Sequence, residues 1–358
     1  MIRAALCDCA VFSFVKKEGE KMKERKRLIT LVIMAALLLT LFTGCGAKPE
    51  ATVQAEPEAV APAEPVAETA PEAVPEDTSI TVTDMMGREV RLDAPASKVV
   101  VLTAAECEIL YAIGAGDTVV GKGEYCDWPA EAADVTVVNS GYQTNVEQII
   151  ALEPGVVIMN SMDQSPEDVT KLEEAGITVA VTKAADIAGV YESIALIGAL
   201  TGKNEEASSL VDSMKAVFDG ISAAPAGDGE QTVYFEISPL QWGLWTAGKG
   251  TFMDEVAALA GLKNCFGDVD GWAEISEEQV LERNPDYIVT ITMYYGEGPT
   301  PIEEILSRPG WENVTAVKNG AILNLQGNEL SRPGPRLADG AKMLNDFVAE
   351  YTALDNAA

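Results

Sequence analysis

The chain has 358 residues, with 56 acidic against 25 basic side chains and no histidine. A net charge of −31 repels phosphate backbones and anionic lipid, so it argues against nucleic acid as a partner and against membrane attachment through basic patches. Without imidazole there can be no Ser-His-Asp triad, no His-ligated haem and no histidine-built zinc or manganese site.

Leu28 to Phe42 is apolar apart from Thr30 and Thr40. That run falls short of the roughly 20 residues a membrane span needs. Lys21, Lys23, Arg25, Lys26 and Arg27 precede it, and Thr43-Gly44 close it, which is the pattern of a secretory signal over 22–45. Cys45 directly after the small residue resembles the lipobox of bacterial lipoproteins, with Phe42 where leucine is usual. The resemblance implies diacylation of Cys45 and a lipid anchor on the outer side of the cell membrane. Met22-Lys23 begins as signals begin, and "KKEGEKM" back-translates into a purine-rich ribosome-binding site. Translation is therefore expected to start at Met22, with 1–21 an untranslated upstream extension.

Residues 46–78 hold six prolines, seven glutamates and no apolar side chain larger than valine. Such a segment cannot build a core and reads as a disordered tether, about 100 Å long when fully stretched.

From residue 79 the chain alternates strands and helices. "SITVTDMMGREVRL" reads as two short strands around Met86-Gly87. "KVVVL" (98–102) is a buried strand, followed by a helix from Glu106 to Ile113, then strand "TVVGKG". Helix "NVEQIIALEP" and strand "GVVIMN" follow. A helix capped by Ser165 and stopped by Gly176, and strand "ITVAVT", complete an N-terminal lobe over 79–186. A helical linking segment spans 187–222, in which Ala207, Leu210, Val211, Met214, Val217, Phe218 and Ile221 form one apolar face.

After "SAAPAGDGEQ" the alternation restarts in a C-terminal lobe over 223–358: strand "TVYFEIS", helices "TFMDEVAALAG" and "SEEQVLERNP", strand "DYIVTIT", helix "PIEEILSRPGW", strand "GAILNL", and a closing helix from Pro335 to Tyr351. "NVEQIIALEPGVVIM" and "ISEEQVLERNPDYIVTI" share one design: a polar cap, a glutamate, an apolar helix face, proline and a buried strand. The expected fold is α/β: two Rossmann-like lobes with parallel-rich sheets, joined by one long rigid helix, with a ligand cleft between them.

These two phrases, with "TDMMGREVRLDAPASKVVVL" and "AGKGTFMDEVAALAGLKN", carry a resemblance over about 79–350. The chain resembles the substrate-binding proteins of ABC importers, of the class with a single rigid linking helix that captures siderophores, haem and cobalamin. "EYCDWP" (124–129) and "WAEISEEQV" (272–280) are most similar to the cobalamin binders, where a Trp precedes a Ser by four residues and a Glu by six, as Trp272, Ser276 and Glu278 do. The resemblance implies that Trp272 lines the cleft and that Glu278 meets the permease. It puts a companion docking acid near the start of the 165–175 helix, where Pro166 stands and Glu167 follows. Asn160 stands where some cobalamin binders carry a Trp, and "SRPGPR" (331–336) is shared across the class. The implied partners are an ABC permease with its ATPase and a small-molecule metal chelate, bound by a monomer without resident cofactor or metal.

A corrin is a large plate with apolar faces and a polar rim, which aromatic side chains and sparse donors suit. Tyr125, Trp128, Tyr142, Trp242, Trp245, Trp272, Tyr294 and Tyr295 fall outside the helical and strand periods, so they read as loop aromatics. Trp272, Tyr125 and Trp242 are the foremost cleft candidates, with Trp128, Tyr142, Trp245, Asn160 and Arg332 beside them. Cations near the expected cleft are few: Lys122, Lys249, Arg332 and Arg336. That scarcity disfavours trianionic siderophores and favours a corrinoid or neutral chelate. Haem, with Tyr142 or Tyr294 as iron ligand, and ferric siderophores are the alternative cargoes. A surface sensor or adhesin without transport is the alternative of another class. Glu147, Glu167 and Glu278 at helix starts also suit the helix dipole alone.

"GLWTAGKG" (243–250) imitates a phosphate-binding loop, but Gly250 stands where Ser or Thr must hold magnesium, so no nucleotide site is expected. Cys107, Cys126 and Cys265 show no CxxC spacing, and their disulfide state is not readable. Cys107 in "ECEILYAIG" reads as a small buried apolar residue. No nucleophile–base pair is visible, so no enzymatic activity is expected.

Overall fold

A hairpin leads into the domain. β1 (Ile80–Thr83) and β2 (Glu89–Leu92) pair antiparallel about Gly87. Asp84 organises the turn by accepting from the N–H groups of Met86 and Arg88, and it ties the hairpin to the lobe through the N–H of Val181 at 3.1 Å. The computed structural model describes residues 78–140, 144–161 and 166–355. Cys45, the signal, the tether up to residue 77, Tyr142 and Ser165 lie outside the described residues.

The N-terminal sheet comprises β3 (Val99–Val101), β4 (Val119–Lys122), β5 (Val156–Asn160) and β6 (Val179–Thr182), all parallel, in the order β4-β3-β5-β6. Its helices are α1 (Ala104–Ala112), α2 (Val146–Ala151) and α3 (Pro166–Glu174). The C-terminal sheet comprises β7 (Thr232–Glu236), β9 (Lys263–Asn264), β11 (Tyr287–Thr290) and β12 (Ile322–Asn324), again parallel, in the order β9-β7-β11-β12. Each sheet therefore follows the same order: second, first, third, fourth. The internal echo in the sequence is a repeat in topology.

Strand periodicity sorts the core. Val99, Val101, Val156, Ile158, Val233, Phe235, Tyr287 and Val289 face one continuous core that runs through both lobes. The alternate residues Val100, Val157 and Met159 face an outer core in the first lobe, and Tyr234 and Ile288 face one in the second. Strands buried on both faces read as unbroken apolar runs, as parallel strands do.

The linking segment is two helices. α4 (Ile187–Thr201) ends where Gly202 turns left-handed at φ 70°, and α5 (Asn204–Ala223) follows. The two cross closely at Gly198, where an added Cβ would lie 2.5 Å from Ala207 Cβ. α5 alone then runs on to the second lobe. Ala207, Met214, Phe218 and Ile221 are buried on its inner face, whereas Val217 of the expected apolar stripe is exposed. The closing helix, α10 (Leu337–Asp355), starts two residues later than expected and packs on α5.

The C-terminal lobe also holds a pair of strands that has no counterpart among the described residues of the first. β8 (Leu244–Ala247) and β10 (Trp272–Ile275) run antiparallel, with Trp272 opposite Ala247 and Glu274 opposite Trp245. Trp245 and Trp272, expected on loops, thus stand on strands. The remaining helices are α6 (Phe252–Leu259), α7 (Glu277–Arg283), α8 (Pro301–Ser307) and α9 (Thr315–Asn319).

Candidate ligand-binding cleft

Parallel sheets leave a crevice at the carboxyl ends of their strands. Here both sheets do so towards each other. Thr103 follows β3, Asn160 ends β5, Ile237 follows β7 and Ile291 follows β11, and all four line one cavity of about 360 Å³. The first lobe adds Ala104, Ala105 and Glu106 from the start of α1. The second adds Trp245 and Thr246 from β8, Phe252 and Met253 from the start of α6, and Trp272 from β10. Phe252 and Trp272 meet with ring centroids 5.4 Å apart at 59°. The wall is mostly apolar and aromatic.

Among the described residues, polar ties join the second lobe to the first and to the linking helix. The N–H of Phe252 donates to Ala185 O at 2.9 Å, and the N–H of Ile187 donates to Glu255 Oε2 at 2.7 Å. The third is centred on Glu108, whose side chain is buried. It accepts from Arg332 Nη1 at 2.8 Å and from Arg336 Nε and Nη2 at 2.9 and 2.6 Å. Arg332 also donates to Asp127 at 2.7 Å and to the carbonyl of Tyr125 at 3.2 Å. Burial works against its charge, but Asp127 and Glu108 outweigh it and hold the guanidinium above its ordinary range. The cleft's lining arginine is thus already paired with two carboxylates.

The sequence candidates divide. Trp272, Trp245, Asn160 and Arg332 line the cavity together. Asn160 is buried and spends its Nδ2 on Glu106 at 3.0 Å and Thr182 at 3.3 Å. Tyr125 and Trp242 do not line the cavity; each is 73% exposed. Trp128 stands outside it as well, stacked 4.7 Å over the Arg336 guanidinium in a separate depression with Tyr111 and Glu131. The reason is local: Arg336 is drawn to Glu108, and its outer face offers Trp128 a cation–π partner. Tyr294 is directed to Gly298 O at 3.4 Å rather than to the cavity.

Of the other cations, Lys122 is buried and donates to Cys126 O at 2.9 Å, whereas Lys249 is exposed. The phosphate-loop imitation is used up locally: Thr251 caps α6, accepting from the N–H of Asp254 at 3.2 Å and donating to Gly248 O at 2.8 Å. Cys107 and Cys126 are free and buried, and Cys126 Sγ donates to Val101 O at 3.9 Å; each thiol acts on the other, lowering Cys107 and raising Cys126. Burial pushes the free thiol of Cys265 up to about 12.

Sequence reasoning missed two residues. Glu106, 1% exposed, sits at the cleft and accepts from the Thr103 hydroxyl, Asn160 Nδ2 and the Thr182 hydroxyl. Its signal was present: a charge inside the otherwise apolar "AAECEILYAIG". Thr246, fully buried, lines the same cavity, and its hydroxyl has no hydrogen-bond partner among the described residues. Only the pairing of β8 with β10 makes that visible.

The periplasmic binding protein family matches residues 99–328. The chain is 34% identical over 275 residues to a Bacillus subtilis protein named as an ABC transporter substrate-binding lipoprotein, covering 75% of this chain and 85% of that one. It is 30% identical over 277 residues to a cobalamin-binding protein of Halobacterium salinarum, covering 75% and 74%. Among solved structures, one titled an ABC-type Fe3+-hydroxamate transport system, from Saccharomonospora viridis, superposes with a TM-score of 0.63 at 26% identity, covering 75% of this chain and 98% of that one. By the extent of the family match and the likeness to these relatives, the chain belongs to the periplasmic binding protein family.

Proposed function

We propose that the chain is the substrate-binding component of an ABC importer and that its cargo is a corrinoid. The observation that carries the ligand is the cleft wall. Trp245, Trp272, Phe252, Met253, Ile237 and Ile291 present apolar and aromatic surface, and the lining arginine is neutralised by Glu108 and Asp127. A plate with apolar faces buries well there, whereas a trianionic chelate finds no unpaired cation among the described lining residues. The relative named cobalamin-binding supports the same cargo.

The protein acts as a carrier, not an enzyme, and works as a monomer. Acylation at Cys45 anchors it outside the cell membrane, and the 46–78 tether lets it reach an ABC permease with its ATPase. The relative named a substrate-binding lipoprotein supports this placement.

Docking to the permease needs one acid on each lobe. The internal repeat pairs Glu278 with Glu147. Asn145-Val146-Glu147-Gln148 and Ser276-Glu277-Glu278-Gln279 each open a helix leading to a strand inside a sheet. In each, the cap side chain accepts from the Gln N–H, at 3.1 and 3.4 Å. Both glutamates are exposed. Glu167 is exposed at the start of α3 but has no such equivalence to Glu278. Glu147 and Glu278 are therefore the docking pair of this reading.

Equilibrium dialysis of the purified protein against cyanocobalamin, haemin and a ferric hydroxamate tests the cargo. Saturable one-to-one uptake of the corrinoid is expected. Retention of haemin or the hydroxamate in its place would overturn the ligand.

A further inference from the structure

Among the described residues, the charged side chain lining the cleft apart from the paired Arg332 is Glu106. It is buried, and the three donors on its carboxylate, Thr103, Asn160 and Thr182, are all neutral. None of the three supplies a positive charge to balance the carboxylate. A ligand carboxylate brought against it would meet like charge in a low-dielectric site. A ligand N–H would meet a charged acceptor with lone-pair capacity to spare.

Across the cavity, on the other lobe, Thr246 carries a buried hydroxyl without a partner among the described residues. An orphaned polar atom is a standing cost in the free protein, relieved when something hydrogen-bonds to it. β8 holds it in place between Trp245 and Ala247, opposite Ala273 of β10. A hydroxyl can accept from an N–H or donate to a carbonyl, and a carboxamide offers both.

We propose that Glu106 and Thr246 form the polar recognition pair of the cleft, taking carboxamide or amine N–H groups on the ligand's rim and rejecting rims made of carboxylates. The inference rests on the reading of the cargo as a macrocyclic plate and adds which edge chemistry is accepted. It assigns the two lobes different tasks: the first reads charge, the second reads hydrogen-bonding capacity.

Two ring series separate the cargo from the rim. Cobinamide and cobyrinic acid share a corrin ring with amide and with carboxylate edges. Haemin and its bis-propionamide do the same for a porphyrin. The purified protein is titrated with all four, as wild type, Glu106→Gln and Thr246→Val. In whichever series binds, the wild type takes the amide form at least about tenfold more tightly. Glu106→Gln narrows that gap to within about threefold, mainly by admitting the acid form. The variant keeps the site's shape, because Asn160 and Thr182 retain an amide oxygen and the Thr103 hydroxyl turns to accept.

Thr246→Val removes the orphan, so it melts at the same or a higher temperature yet binds the amide form about three- to tenfold more weakly. A merely structural threonine would not move these two readouts in opposite directions. Binding of the porphyrin series alone, with the rim gap intact, would overturn the corrinoid cargo and leave the recognition pair standing. Equal affinity for both rims, a gap that survives Glu106→Gln, an unchanged affinity in Thr246→Val, or binding of neither series would overturn the pair.

Discussion

Arg332 Nη1 donates to Glu108 Oε1 at 2.8 Å, and Arg336 Nη2 donates to the same oxygen at 2.6 Å. The pairing joins α1 of the first lobe to the segment that leads into α10. Removing the carboxylate would leave two partly buried guanidiniums competing for what remains. Glu108→Gln is expected to cost about 3 kcal/mol and to lower the melting temperature by roughly 6–12 °C. A differential-scanning melt checks this; a drop of under about 2 °C would show that the clamp carries little.

Gly248 follows β8, where the chain turns towards α6. An added Cβ there would lie 2.1 Å from Val269 O and 3.0 Å from Gly271 O, both backbone atoms unable to swing aside. Gly248→Ala is expected to destabilise by about 2–4 kcal/mol and to shift tryptophan emission, since β8 and β10 carry Trp245 and Trp272. Unchanged stability and emission would place the backbones further apart than described.

Cys265 gives the pH test. Burial raises its thiol to about 12, above the value it has when unfolded. Its contribution to stability is therefore fully present below the unfolded thiol's pKa of about 8.5 and is lost as pH rises towards 12. Maleimide labelling of native Cys265 at pH 8 is expected to run on the order of a thousandfold slower than in the denatured chain. Peptide mapping reads the site directly, and comparable native and denatured rates would contradict the burial.

The docking pair is tested by separating binding from delivery. Glu147→Lys with Glu278→Lys is expected to leave ligand affinity within about twofold, because both side chains are exposed at helix starts. Uptake by cells carrying the variant is expected to fall at least about tenfold, as charge reversal opposes basic sockets. Glu167→Lys alone is expected to transport normally. Uptake lost in Glu167→Lys and kept in the double variant would reverse the assignment.

Much of this arrangement was readable from residues. "KVVVL", "GVVIMN" and "DYIVTIT" are apolar on both strand faces, so burial announces them without a periodicity argument. The repeat around Asn145 and Ser276 was legible because a polar cap, a glutamine and a proline recur at fixed offsets. β8 and β10 were not legible. They are four residues each, and Gly243, Gly248 and Gly271 interrupt the apolar pattern, so Trp245 and Trp272 looked like loop residues. The break at Gly202 had a signal, a glycine before a polar run, that the apolar stripe of α5 obscured. Trp128 was misplaced because its partner, Arg336, is more than 200 residues away in sequence. Glu106 and Thr246 belong to the same class: a carboxylate held by neutral donors and an orphan hydroxyl exist only once neighbours are known.

Tryptophan fluorescence during cyanocobalamin titration, corrected for inner-filter absorption, tests the central claim most directly, that the Trp245–Trp272–Phe252 wall holds the ligand. The wild type is expected to quench saturably. Trp272→Ala, which opens the wall and removes the Phe252 ring contact, is expected to bind roughly 30- to 100-fold more weakly. Quenching that saturates with equal affinity in Trp272→Ala, or no quenching in the wild type, would contradict it.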